Sequence, residues 1–524
     1  ELANIIKVVF RQEVDRLLET DRFWHNSHDT FFRNPFGAVP CHKRIVLRFA
    51  VKNKPAADYA PAAEKVSLFL IREKNGKSHT EELPMTLEKV RGDRQIFIKE
   101  ISAPEEPCLL WYYFMIRDGG ALFYYGNSSL KTGGLGCIAD HVPPSYQITI
   151  YREGFRTPTW LKEAVIYQIF PDRFYNGLGD GKVLNPKKES LIHSHWENTP
   201  VYIRDPSGRV IRWDFFGGNL EGIRKKLPYL KNLGVSLLYF NPVFESPSNH
   251  RYDTADYHKI DPMLGTDEQF AQLCKEAAGL GIYIILDGVF SHTGSDSIYF
   301  NKEGNYPGIG AFQSPDSPYY GWYRFLEYPH RYDCWWGIDT LPNVNELNLS
   351  YMNLIIYGEN SVLKKWLAAG IKGWRLDVAD ELPGEFLKKL HEKMKELDSE
   401  SVLIGEVWED ASNKISYGER REYLLGDELD GVTNYPLRSI ILNFALGHLD
   451  AEQVEQSLMG IFENYPLQSF YSTMNLLGNH DVPRLLTVLQ DGLPQGISRE
   501  EKERLKFKRL QLVTLWQLTF PGVP

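Results

Sequence analysis

Apolar and polar positions change their pattern near residue 155. Before it, apolar-rich runs such as Arg44-Ile45-Val46-Leu47-Arg48-Phe49-Ala50-Val51, Val66-Ser67-Leu68-Phe69-Leu70-Ile71 and Leu109-Leu110-Trp111-Tyr112-Tyr113-Phe114 are separated by clusters of Pro, Gly, Asn and Lys. Short strands punctuated by turn residues predict a β-sandwich over 1–155. Ile5, Val8, Val9, Leu17 and Leu18 fall near helical spacing and predict an amphipathic helix ahead of it. Arg156-Thr157-Pro158-Thr159 reads as a linker. Beyond it, apolar runs alternate with helical patterns, the mark of parallel βα units. Seven strands are predicted, at Ala164 to Phe170, Val235 to Phe240, Ile282 to Phe290, Gly373 to Val378, Val402 to Trp408, Gly431 to Asn434 and Ser472 to Leu477. The interval between Phe290 and Gly373 is too long for one crossover. Residues 292–350, rich in Gly, Pro, Tyr and Trp, are therefore expected to form a small inserted domain leaving the third strand.

Composition narrows the function classes. The 524 residues, 43% hydrophobic and 24% charged, suffice for a large core. A net charge of -9 argues against nucleic acid as a partner, because phosphate binding needs a basic face. No run of about 18 apolar residues exists, so no membrane span is expected. The five cysteines, without CxxC spacing or clustered His, point to neither a disulfide framework nor a zinc site. No leader pattern follows Glu1, which suggests a cytoplasmic location, or a secreted one if a signal peptide has been removed. Aromatics reach 13%, and flat amphipathic rings suit sugar faces as well as core packing.

Four segments carry the candidate chemistry: Asp287-Gly288-Val289-Phe290-Ser291-His292, Gly373-Trp374-Arg375-Leu376-Asp377, Ile404-Gly405-Glu406-Val407-Trp408 and Leu477-Gly478-Asn479-His480-Asp481. Each ends an apolar run with titratable side chains. In a (β/α)8 barrel the carboxyl ends of all strands converge on one mouth, so distant carboxylates can meet around a single bond. A lone carboxylate at a strand end is usually solvated or a cap; several converging on one mouth suit glycoside hydrolysis.

These segments, in this order, resemble the signature regions of the α-amylase family, glycoside hydrolase family 13. Further matches are Val165-Ile166-Tyr167-Gln168-Ile169-Phe170-Pro171-Asp172-Arg173-Phe174, Trp213-Asp214-Phe215-Phe216-Gly217-Gly218-Asn219-Leu220, Asn241-Pro242-Val243-Phe244-Glu245 and His250-Arg251-Tyr252-Asp253-Thr254-Ala255-Asp256-Tyr257. The wording is similar to the neopullulanase, cyclomaltodextrinase and maltogenic amylase branch, or to the amylopullulanases beside it. The resemblance covers 160–524 and implies a retaining α-glucan hydrolase acting on maltooligosaccharides, cyclodextrins, pullulan or starch. Asp377 would be the nucleophile, kept ionised by Arg375, and Glu406 the acid, in an apolar setting that favours a protonated carboxyl. Asp481 would be the third carboxylate, holding hydroxyls of the distorted ring with His480 beside it. His292 would bind hydroxyls next to the cleaved bond, Tyr252 would stack on the sugar, and Trp408 would wall the leaving-group side. Asp287 and Asn479 are expected to support the site.

The chemistry requires no cofactor. Calcium is left open: Ser291 stands where many members carry a calcium-ligating Asn, and the loop Asn176-Gly177-Leu178-Gly179-Asp180-Gly181 offers Asn176 and Asp180 towards a second site. Asp380 departs from the Asn of many branch members. The family barrel continues into an eighth strand and a C-terminal β-domain, expected here beyond Pro524, so a second polypeptide would complete the barrel or the chain is a fragment. By position and pattern the sandwich resembles the starch-binding N-terminal domain of that branch; the alternative is that it mediates dimerisation, which would make the protein a homodimer. A 4-α-glucanotransferase and a non-catalytic glucan-binding fragment are the alternatives.

Overall fold

The computed structural model describes residues 22–53, 63, 65–74 and 76–524. The helix expected around Ile5 to Leu18 lies outside them. The described residues between 22 and 151 form two facing sheets, antiparallel except where Val39–Pro40 pairs in parallel with Tyr146–Tyr151. One is built on Arg44–Lys52 paired with Arg94–Ser102, the other on Cys108–Asp118 flanked by Lys65–Lys74 and Tyr146–Tyr151. Alternation decides the packing. Ile45, Leu47 and Phe49 face inward from the first sheet and meet Leu68, Leu110, Tyr112, Phe114 and Ile148 from the second.

The second unit winds a parallel sheet from β1 (Ile166–Ile169), β2 (Leu237–Phe240), β3 (Tyr283–Gly288), β4 (Gly373–Leu376), β5 (Val402–Gly405) and β6 (Gly431–Val432), neighbouring in that order. β2, β4 and β5 are buried along their whole length, as a sheet covered on both faces requires. Leu237, Tyr239, Ile285, Ile404, Met474 and Val523 pack together inside the ring, while Leu238, Phe240, Ile284 and Leu403 face outward onto the helix layer. Gly373 opens β4 at φ 145°, where a Cβ would strike the Val402 carbonyl at 1.9 Å.

The seventh strand, expected over Ser472 to Leu477, is reduced to parallel bridges through Met474, to Thr433 on one side and Val523 on the other. The expectation that the eighth strand is missing needs correction. Val523 pairs with Met474, and the Ile166 N–H donates to the Pro524 carbonyl at 2.7 Å, so these two residues hold the eighth position and join β6 back to β1. The eighth position escapes pattern reading because two residues carry no periodicity.

Two excursions rise from the ring. Residues 292–350 carry a short hairpin, Phe325–Glu327 with Arg331–Tyr332, over an aromatic cluster of Phe300, Tyr323, Phe325 and Tyr332. Residues 171–219, between β1 and the helix Leu220–Asn232, carry two further small sheets, for which the sequence reading made no allowance. The expected linker is docked rather than free: Thr157 bonds the Gln468 carbonyl and the Ser472 hydroxyl. The sandwich is tied to the barrel by buried Arg33, which reaches the Glu463 carboxylate. Among the described residues, no helix is long and apolar enough to cross a membrane.

Candidate active site

Side-chain period brings the chemistry to one mouth. Two residues beyond inward-facing Ile285 stands Asp287, and two beyond Ile404 stands Glu406. Pairing then sets Arg375 directly beside Asp287 on one flank and Ile404 on the other. β4 and β5 end earlier than the apolar runs suggest, and Asp377 and Glu406 sit in the turns that follow. Their backbones stay in register, Asp377 N–H to the Gly288 carbonyl at 3.1 Å and Glu406 N–H to Leu376 at 2.9 Å. Val378 is held at φ 37°, a conformation that β-branched residues resist. This turn aims its N–H at Glu406 Oε2, 2.9 Å away.

Arg375 is the hub. Its Nη1 donates to Asp287 at 2.7 Å and to Asp377 at 2.9 Å, and its Nη2 lies 2.8 Å from Glu406. Burial pushes the Asp377 carboxyl well above its ordinary range. Arg375 opposes that rise, and the Asp287 and Glu406 carboxylates add to it. Arg375 thus acts on Asp377 in the expected sense, favouring its ionised form against burial, and its guanidinium is shared with Asp287 and Glu406.

Asp287 Oδ2 accepts from Tyr239 at 2.6 Å and Tyr252 at 2.8 Å. Burial holds both phenols far above their usual titration range, so they remain donors. Tyr252 also meets His480 Nε2 at 2.7 Å and lies parallel to that ring at 5.5 Å. Gln168 Nε2 approaches His480 Nδ1 at 2.9 Å, and Asn241 Nδ2 donates to the Tyr252 hydroxyl. Burial lowers the His480 pKa.

The remaining expected residues rim the mouth. Asp481 lies 3.2 Å from His480 with its side chain 36% exposed; burial raises its pKa, and His480 opposes the rise. Its N–H is received by Asn479, which donates to the Tyr435 hydroxyl at 2.7 Å. Trp408 stacks face to face on Tyr435 at 4.0 Å while remaining half exposed. His292, buried and with its pKa lowered to about 4 by desolvation, contacts the Tyr252 carbonyl and the Ser291 hydroxyl and stacks on Trp335.

The two residues considered for calcium do not gather oxygens around a cation. Asn176 Oδ1 accepts from Leu178 N–H and Asn219, and the Asp180 carboxylate pairs with Lys182 at 2.8 Å on an exposed loop. Calcium takes about six to eight converging oxygens. Among the described residues, no group of three or more His, Cys, Asp or Glu side chains is placed to hold a metal.

Sequence reasoning assigned no site role to Tyr239, Gln168, Asn241 or Tyr435. For three of them a signal was present: Gln168, Tyr239 and Asn241 lie at the carboxyl ends of β1 and β2, where a barrel places its chemistry. Tyr435 begins a helix and carries no such mark.

A (β/α)8 ring with paired carboxylates on a buried guanidinium at its carboxyl-end mouth defines the class, a glycosidase-type barrel. The family model for the α-amylase catalytic domain matches residues 168–524, and the chain belongs to the α-amylase family. It is 39% identical over 555 residues to an amylopullulanase of Thermoanaerobacterium saccharolyticum, covering 97% of this chain and 42% of that protein. It is 35% identical over 380 residues to neopullulanase 2 of Thermoactinomyces vulgaris, covering 71% of this chain and 57% of the relative. Among solved structures, the type III pullulan hydrolase of Thermococcus kodakarensis aligns with a TM-score of 0.60 at 27% identity, over 96% of this chain and 80% of that one. The chain thus spans less than half the length of the amylopullulanase it matches.

Proposed function

We propose that this chain carries the catalytic domain of a retaining α-glucan hydrolase that cleaves α-1,4-glucosidic bonds and, as the pullulan-acting relatives suggest, α-1,6 bonds as well. The observation that carries the proposal is the Arg375 guanidinium, which binds Asp377 on one nitrogen and Glu406 on the other. Retention asks for two carboxyl groups close together, about 5–5.5 Å apart, and contact of both with one guanidinium makes them neighbours, which supports that reading. Glu406 gives its proton to the glycosidic oxygen as that bond breaks, and an Asp377 oxygen bonds the anomeric carbon to form a glycosyl ester. Glu406, now ionised, takes a proton from water, whose oxygen displaces Asp377 and restores the starting configuration. Asp287, Tyr239 and Tyr252 hold Arg375 in place; His480 and Asp481 offer polar groups to sugar hydroxyls, and buried His292 braces the backbone of Tyr252 beside them.

The test is product analysis from γ-cyclodextrin, pullulan and soluble starch, with the intact protein and with Asp377→Asn. Turnover abolished by the substitution supports the reading. Products dominated by elongated chains would assign a 4-α-glucanotransferase instead, and no turnover of any glucan by the intact protein would refute hydrolysis.

A further inference from the structure

The excursion over residues 171–219 is built around a buried carboxylate with no part in the chemistry above. Asp214 is fully buried. Its Oδ2 accepts from the Val201 N–H at 2.9 Å and lies 2.8 Å from His193 Nε2. Its Oδ1 accepts from Arg173 and Asn249, each at 2.9 Å. Four separate stretches of chain are thereby pinned to one side chain, which fixes the neighbouring residues on the barrel instead of leaving a loose loop.

What this anchor holds in place is a row of rings leading out of the mouth. Tyr252, in the site, stacks on His250 at 5.9 Å, and Trp213, adjacent to Asp214 in sequence, meets His250 edge-on at 4.8 Å. Tyr202 meets Trp213 edge-on at 6.0 Å and is 52% exposed. Val201 and Ile211 beside it are similarly open, and the nearby charges are mixed, Arg204, Asp205, Arg209 and Arg212.

We propose that Trp213 and Tyr202 form a carbohydrate platform that takes further glucose units of an α-1,4-linked chain beyond those held at Asp377 and Glu406; this rests on the glucan-hydrolase reading of that site. Three features select a sugar chain as occupant. The rings continue from Tyr252 in the site wall through His250 to Trp213 and Tyr202, at centroid steps of 5.9, 4.8 and 6.0 Å. Tyr and Trp present apolar faces with polar tips, matching the faces and rims of a pyranose. A narrow row of a few residues is small beside the roughly 1,000 Å² that a stable protein partner requires. Because the platform is anchored before any ligand arrives, little ordering cost offsets the contact.

The experiment compares maltotriose with maltoheptaose. Binding is measured by calorimetry on the Asp377→Asn protein with and without Tyr202→Ala, and turnover on the active protein with the same change. Losing one stacked ring weakens maltoheptaose binding roughly three- to tenfold and leaves maltotriose unchanged. KM for soluble starch rises to match at constant kcat on maltotriose, and Tyr202→Phe restores both. Equal loss for the two sugars, or loss for neither, overturns the platform. A change from dimer to monomer on Tyr202→Ala, read by light scattering, would give the patch to a second copy of the chain and also overturn it. Absence of turnover on every glucan would sink the hydrolase reading, and the calorimetric comparison would still decide the platform by itself.

Discussion

Replacing Arg375 with lysine keeps a positive charge at the centre of the site but removes its fork, which makes Arg375→Lys a sharp probe of the hub. The guanidinium serves Asp287 and Asp377 through Nη1 and Glu406 through Nη2, with the side chain 2% exposed. A lysine ammonium is a compact point charge that cannot span the same three carboxylates. The guanidinium makes two charge-assisted hydrogen bonds, to Asp287 and Asp377, and one ion pair, to Glu406; losing two of these three contacts, at about 1.5–3 kcal/mol each, removes roughly 3–6 kcal/mol of local interaction. If about 3–4 kcal/mol of that loss falls on the transition state, kcat drops on the order of 10²- to 10³-fold. The assay is release of reducing ends from γ-cyclodextrin at saturating substrate, with near-ultraviolet circular dichroism to establish that the barrel is intact. A variant that folds and keeps kcat within about threefold of the parent would refute the claim that one guanidinium sets the geometry of both carboxyl groups.

Further predictions address stability. Desolvation lowers the pKa of His292 to about 4 and of His25 to about 3, so both rings are neutral in the folded protein and take up protons on unfolding. Their contribution is complete above pH 6.5 and is lost as pH falls towards those values, about 2 kcal/mol for each ring at pH 5; urea midpoints equal at pH 7 and pH 5 would contradict it. Glu463→Gln leaves buried Arg33 without its counter-charge and removes the partner of His28, 3.1 Å away. It should cost about 3–5 kcal/mol and separate sandwich from barrel unfolding in calorimetry, whereas an unchanged single transition would show that this pair does not couple them. Calcium or a chelator should move the thermal midpoint by less than about 1 °C, and a rise of several degrees with calcium would reveal a site that Asn176 and Asp180 do not display.

What was legible in the sequence followed from backbone period. Alternation along Arg44 to Val51 gave the sandwich face, and the apolar runs ending at Asp287, Asp377 and Glu406 located the mouth, because a strand end in a parallel barrel has only one place to point. What stayed hidden depends on contacts between distant elements. Nothing local marks Tyr239 as a donor to Asp287, since a tyrosine in a buried strand reads as packing until its partner 48 positions away is known. The excursion over 171–219 was missed because polar, turn-rich sequence looks like loop, and its order comes from Asp214 gathering four distant groups. The eighth position was missed for a simpler reason: Val523 and Pro524 are too few to show a period, and only their bonds to Met474 and Ile166 place them in the ring.

Charge explains why Arg375 does less for Asp377, and more for the site, than its place two residues away suggests. Taken as a pair, the two side chains predict an ionised aspartate. The folded site holds Asp287, Asp377 and Glu406 around the same guanidinium, all almost fully buried, and burial dominates the balance at Asp377. Burial opposes ionisation of Asp377, and the neighbouring Asp287 and Glu406 carboxylates add to that opposition while Arg375 resists it. The N–H of strained Val378 adds a fixed donor on Glu406. Double-displacement chemistry at a sugar needs one carboxyl protonated and its partner ionised at the same moment. The guanidinium that binds Asp377 on one nitrogen and Glu406 on the other sets side by side the two carboxyls on which the proposed chemistry depends, so their spacing, and with it the reaction, is fixed by Arg375.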